Sequence, residues 1–192
     1  MTLTTTLNRI KACNPCREGW RRGLNAAGKA EADDEPISYE AILDAVGLQH
    51  ALWCCRAEPQ YGSLWRQYAV WCGRQVQHLL TDKRSIAALD VAERYANGEA
   101  TDEELAAASD AAWDAAWDAA WDGAPGASDA AEAAWDASDA TDAARAAVDA
   151  AADAAKSFAS NVAIRDAQAA AFRQLVTTGT LPPVQPMQEA IQ

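Results

Sequence analysis

The chain has 192 residues and half of them are apolar, but 48 are alanine, so only the other half of the apolar set brings volume to a core. Its net charge of −12 is unevenly placed. Residues 1–100 balance 12 Lys/Arg against 12 Asp/Glu, whereas residues 101–155 set Arg145 alone against 14 acidic residues, which excludes that segment from binding DNA, RNA or an anionic membrane directly.

In chain order, Asn14-Pro15 predicts the start of a helix running through Trp20 and Leu24, with Gly28 as its stop. After a polar, acidic turn, Ser38 predicts the cap of a short helix carrying Tyr39, Ile42, Leu43 and Val46, ended by Gly47. Leu48 to Ala57 reads as another helix. From Ser63 to Leu80, Leu64, Trp65, Tyr68, Trp71, Cys72, Val76 and Leu79 recur at steps of three and four, which predicts a broad-faced, well-buried helix. Ser85 reads as the cap of a helix through Ile86, Leu89 and Tyr95, closed by Asn97-Gly98. No strand-like alternation of useful length occurs. The first 100 residues hold 32 apolar residues other than alanine, enough for a helical head over 1–98.

Thr101-Asp-Glu-Glu104 has the form of a capping box opening a helix to Asp122, which Gly123-Ala-Pro-Gly126 stops. Residues 128 to about 176 contain neither proline nor glycine and are dense in alanine, predicting one or two further helices. Phe158, Val162, Phe172 and Val176 with Ala169 give them an apolar seam. The expected architecture is therefore all-α: a head over 1–98, an antiparallel Ala/Trp/Asp-rich hairpin over 101–176, and a loose tail over 177–192.

The unusual motif is Ser109-Asp-Ala-Ala-Trp-Asp-Ala-Ala-Trp-Asp-Ala-Ala-Trp-Asp122. On a helix, a four-residue step advances about 6 Å and drifts about 40°. Trp113, Trp117 and Trp121 thus form one stripe, and Asp110, Asp114, Asp118 and Asp122 a second beside it. The remaining faces are alanine, smooth enough for a neighbouring helix to approach. The expectation is that the Trp stripe, with Trp135 further along, packs inward on the head or on a second copy. The Asp stripe, continued by Asp129, Glu132, Asp136 and Asp139, is then the wet edge and the candidate partner-binding surface. Its simplest role is solubility. Its functional reading is docking to a basic partner, or mimicry of a nucleic-acid backbone: B-DNA turns about 34–36° per pair, close to the drift of the stripe, with a denser charge spacing of about 3.4 Å.

Candidate chemistry is sparse. Cys13-Asn-Pro-Cys16 with His50 and Cys54 has the residue types of a tetrahedral zinc site, but the second C-x-x-C that would make the pattern specific is missing, and cysteines on apolar helix faces are usually core. His50 and His78 join no nucleophile–base grouping. There is no phosphate-binding glycine loop, no G-x-S-x-G and no H-E-x-x-H. The expectation is a protein that is not an enzyme, with no catalytic residues, no cofactor and no metal. No apolar run approaches the roughly 18–20 residues of a membrane span. Residues 1–7 lack the blocks of a signal peptide, and five cysteines make an odd set. Together these predict a cytoplasmic protein with reduced thiols.

Several segments also resemble a known group. Asp33-Asp-Glu-Pro-Ile37, Gly47-Leu-x-x-Ala-Leu-Trp-Cys54, Val76-Gln-His-Leu79, Ile86-Ala-Ala-Leu-Asp-Val-Ala-Glu-Arg-Tyr95, Gly98-Glu-Ala-Thr-Asp-Glu-Glu-Leu105 and Phe172-Arg-Gln-Leu-Val-Thr-Thr-Gly-Thr-Leu-Pro182 are similar to a loosely defined family of phage- and prophage-encoded Ala-rich helical proteins. Some of these are labelled immunity proteins. The resemblance covers most of residues 9–180 and implies a helical head with a degenerate Ala/Trp/Asp/Arg tail and no catalytic residues. Tails in that family often mix Arg with Asp, whereas this one is almost purely acidic. The resulting expectation is a non-enzymatic interaction protein of a phage or prophage, acting in the cytoplasm of a bacterial host. It would inhibit a basic, nucleic-acid-binding defence protein (as anti-CRISPR proteins do) or a nuclease by acidic, DNA-mimic-like occlusion. The alternatives are a self-associating structural protein whose Trp stripe is an oligomer interface, and an immunity protein that neutralises a toxin.

Overall fold

A computed structural model describes residues 2–80, 82–121 and 158–184. Of these, 73% are helical and the single sheet has two strands of two residues each, so the fold is all-α. The chain divides into two compact units, Met1–Gly62 with Ala169–Leu181, and Ser63–Gln168 with Pro182–Gln192. The division thus falls between Gly62 and Ser63, away from the change of composition near residue 100.

The first unit holds β1 (Thr4–Thr5), α1 (Leu7–Ala12), α2 (Arg17–Ala26), β2 (Ile37–Ser38), α3 (Tyr39–Val46) and α4 (Leu48–Cys54). β1 and β2 pair antiparallel, Thr4 opposite Ser38 and Thr5 opposite Ile37. As the sequence predicts, Ser38 caps α3, its Oγ accepting from Ala41 N at 3.1 Å. Gly47 then separates α3 from α4 with φ of 81°, a value glycine reaches without steric cost. α2 starts later than Asn14-Pro15 suggests, because the Cys16 Sγ is the capping acceptor, 3.3 Å from Gly19 N. The expected helix over Leu48–Ala57 tightens into a 3-10 turn at Cys55–Ala57.

The last helix, α8 (Phe158–Thr178), supplies residues 169–178 to this unit. Leu3, fully buried, is the keystone: its N–H donates to Val176 O at 2.8 Å and its carbonyl accepts from Tyr39 N at 3.1 Å. The buried apolar residues of this unit also include Leu7, Ile10, Tyr39, Ile42, Leu43, Phe172, Leu175 and Val176. Tyr39 meets Phe172 edge-on, with ring centroids 6.4 Å apart at 81°. The seam of α8 is Ile164, Gln168, Ala171, Phe172, Leu175 and Val176, all buried. Val162, expected in that seam, is exposed. Residues 177 and 178 belong to α8, and Trp71 Nε1 donates to Pro182 O at 3.0 Å, so the loose tail does not begin at 177; residues 185–192 lie outside the described residues.

The second unit is built on α5 (Gly62–Gln75), whose Trp65, Tyr68, Ala69, Val70, Trp71 and Cys72 are all buried. A helix apolar on nearly every side belongs at a centre. Tyr68 Oη donates to Gln168 O at 2.9 Å, satisfying a hydroxyl that burial would otherwise penalise. α6 (Lys83–Ala96) is capped by Asp82, whose carboxylate accepts from Arg84 N at 2.8 Å. Ser85, the expected cap, instead sits buried inside the first turns of α6.

α7 (Asp102–Trp121) folds back on α6. Its capping box is reciprocal: Glu104 N donates to Thr101 Oγ1 at 3.2 Å, and Thr101 N to Glu104 Oε2 at 2.9 Å. Arg94 with Glu104 at 2.8 Å and Arg84 with Asp118 at 2.6 Å fix an antiparallel register. The buried positions are Ser85, Ala88, Leu89, Ala92 and Ala96 on α6, and Leu105, Ala112 and Ala115 among the described side chains of α7. Ala112 has no solvent exposure in this seam, so a larger side chain there has to displace its neighbours. Ala112→Leu is therefore expected to cost about 1–3 kcal/mol by overpacking, while Ala106→Leu, at an exposed position, stays within about 0.5 kcal/mol. Thermal unfolding followed by circular dichroism separates the two.

Candidate partner-binding edge

The same seam decides what α7 offers to solvent. Positions 105, 108, 112 and 115 advance by three and four residues, near the helical period of 3.6, so they stay on one line facing α6. The Trp and Asp positions advance by four and drift away from that line. Trp113 and Trp117 lie roughly 120–160° round the helix from the seam, and Asp110, Asp114 and Asp118 roughly 180–260° round it. Alanine, not tryptophan, is consequently the buried face. Trp113 is 39% exposed and Trp117 59% exposed, their rings edge-to-face with centroids 5.8 Å apart. The expectation that the Trp stripe packs inward on the head is corrected for these two residues. Alanine lets α6 approach closely, and an indole in the seam would hold the helices apart.

Asp110, Asp114 and Asp118 are exposed, as a wet edge requires. Asp118 takes one arginine from its own chain, Arg84 Nη2 at 2.6 Å. Arg84 is shared with Asp82, also at 2.6 Å, and the two carboxylates, Asp82 first, push its pKa up. Among the described residues Asp110 and Asp114 have no ion-pair partner. Over residues 101–121 there are six carboxylates and neither Lys nor Arg. Asp122, Asp129, Glu132, Asp136, Asp139, Trp135 and the Trp121 side chain lie outside the described residues, as do the turn expected at 123–126 and residues 128–157 of the hairpin expected over 101–176.

Arg84 is the residue of this edge that the sequence reading missed. The signal was present: once Thr101 caps a helix that returns along α6, an antiparallel register brings residue 84 opposite residue 118. Buried Glu58 was missed as well. Its side chain is fully buried and meets Arg9 Nη1 at 2.5 Å, and Gln60 Nε2 donates to it. No local pattern announces that pair, whose members are 49 residues apart.

The sulfur and imidazole groups weighed for a metal are placed as follows. Cys13 is half-buried at the end of α1, Cys16 exposed at the start of α2, and Cys54 buried at the end of α4, with His50 on α4. Burial pushes the Cys54 thiol up to about 12, whereas a metal binds the thiolate. Among the described residues no three of His, Cys, Asp and Glu are grouped to hold a metal ion. No helix of the described residues is long and apolar enough to cross a membrane. Set against family models, curated proteins and solved structures, the chain finds no match in any of the three.

Proposed function

We propose that this chain is a non-enzymatic interaction protein of phage or prophage origin whose acidic α7 edge covers a basic, nucleic-acid-binding surface of a host defence protein or nuclease. One observation supports the reading above the others. α7 is anchored through its alanine face, and that anchoring leaves Asp110, Asp114 and Asp118 together on the solvent side. A helix held this way presents fixed negative charge at regular steps of about 6 Å, which steers a cationic partner and occludes it sterically. The site of action is the host cytoplasm.

The test is capture from bacterial lysate with wild-type protein and with Asp110, Asp114, Asp118 and Asp122 all changed to Asn. Wild type is expected to retain a basic nucleic-acid-binding protein that elutes as salt rises, since screening weakens such contacts. The purified partner should then lose its nucleic acid when the chain is added. Identical capture by wild type and variant contradicts the proposal.

The exposure of Trp117 favours a second reading, a self-associating structural protein whose indoles form the interface. Sedimentation at low and high salt distinguishes them, because an indole-driven oligomer persists when ion pairs are screened.

A further inference from the structure

The edge of α7 is more than a row of charges. On a helix, residues three apart are surface neighbours, so Asp110 lies beside Trp113 and Asp114 beside Trp117. Each couple places a carboxylate next to an indole that water reaches: Trp113 is 39% exposed and Trp117 59% exposed. The two couples are one four-residue step, about 6 Å, apart. At the next step the aspartate is already occupied, and its occupant is an arginine, Arg84, 2.6 Å from Asp118. The chain also lays arginine on aromatic rings elsewhere. The Arg56 guanidinium sits 4.5 Å from the Trp53 ring centroid, and that of Arg66 sits 4.8 Å from the Tyr95 ring.

From this geometry we infer that the two Asp/Trp couples of α7 form a docking surface for an arginine-bearing protein segment, with two guanidinium groups about 6 Å apart, as on one face of a helix carrying arginines at i and i+4. The inference rests on the acidic-edge reading and narrows it from a basic partner to an arginine-bearing one. A guanidinium is planar and always charged, so it stacks on an indole while its N–H edge pairs with the neighbouring carboxylate. A lysine ammonium pairs with the carboxylate as a point charge, is more strongly hydrated, and has no plane to lay on the ring. Nucleic acid is refused, since six carboxylates and no cation line residues 101–121.

The test uses the full-length chain and two fluorescein-labelled, alanine-based helical peptides, one with two arginines four residues apart and one with lysines in their place. Fluorescence anisotropy at low salt is expected to show the arginine peptide bound roughly 5- to 30-fold more tightly, the gain from two cation–π contacts at exposed sites. Trp113→Leu with Trp117→Leu, both at exposed positions, should bring that ratio to about one while leaving lysine-peptide binding in place. Asp110→Asn with Asp114→Asn should weaken both peptides together. Circular dichroism checks that each variant keeps its helix content. Equal affinity for the two peptides, or a preference that survives loss of both indoles, overturns the arginine inference and leaves the acidic-edge reading standing. No binding of either peptide removes both. If the protein alone dimerises in sedimentation equilibrium and peptide binding weakens as it does so, a second copy covers the couples and the inference is wrong.

Discussion

Phe172→Ala is expected to lower the stability of the first unit by about 3–5 kcal/mol, the range for truncating a fully buried aromatic. The ring has no solvent exposure. It meets Tyr39 edge-on at 6.4 Å, and Leu3, Leu175 and Val176 share the same core with no exposure of their own. These neighbours are themselves pinned: Leu3 through backbone hydrogen bonds to Val176 and Tyr39, and α8 through Arg173, which reaches Glu40 Oε1 at 2.9 Å and also pairs with Asp44. A core held on three sides cannot collapse into the space an aromatic leaves, which places the loss toward the upper end. Since typical domains are stable by only about 5–15 kcal/mol, the variant is expected near its unfolding threshold at room temperature. Urea titration monitored by circular dichroism provides the number. A loss below about 1 kcal/mol contradicts the described packing of α8 residues 169–178 against Leu3 and Tyr39.

Alkaline pH is expected to unfold the chain steeply, because four groups that lose a proton there are buried. Desolvation pushes the thiols of Cys54, Cys55 and Cys72 up, Cys54 to about 12, and does the same to the Tyr39 phenol, which donates to Cys54 O at 3.0 Å. The folded pKa values therefore lie above the unfolded ones, near 9 for a thiol and 10 for a phenol. Below pH 9 every group is protonated in both states and stability is untouched. As pH rises beyond 9 the unfolded chain releases protons that the folded chain retains, so stability falls by about 1.4 kcal/mol per pH unit for each thiol. For Cys54 the fall continues until pH reaches about 12. Cys54, Cys55 and Tyr39 belong to the first unit and Cys72 to the second, so the first unit should open at lower pH. Helix content followed between pH 8 and 12 gives the transition. In Cys54→Ala with Cys55→Ala the slope of stability against pH above 9 should flatten, and an unchanged slope refutes the account.

What was legible in the sequence was local. The Ser38 and Thr101–Glu104 caps are made within three residues of chain, and each is found as read. The buried character of α5 was legible as well, since Trp65, Tyr68 and Trp71 recur at helical spacing. What the sequence left open, or pointed the wrong way, depended on a partner helix. Ser85 and Asp82 are both chemically fit to cap α6, and packing decided between them by burying Ser85. The motif 109–122 showed two stripes and an alanine face, but its own periodicity could not say which of them another helix would take.

By itself, then, the sequence determined an all-α chain, the caps at Ser38 and at Thr101–Glu104, and the segment that carries the net negative charge. Those follow from backbone hydrogen bonding and side-chain spacing over one or two turns. Only the tertiary structure decided that alanine is the contact face of α7 and that the indoles at 113 and 117 face water. Helix pairing rewards close approach along a line of period 3.6, and Leu105 with the small residues Ala112 and Ala115 keeps to that line. The four-residue Trp and Asp steps drift off it, and so they remained outside, where they can touch something else.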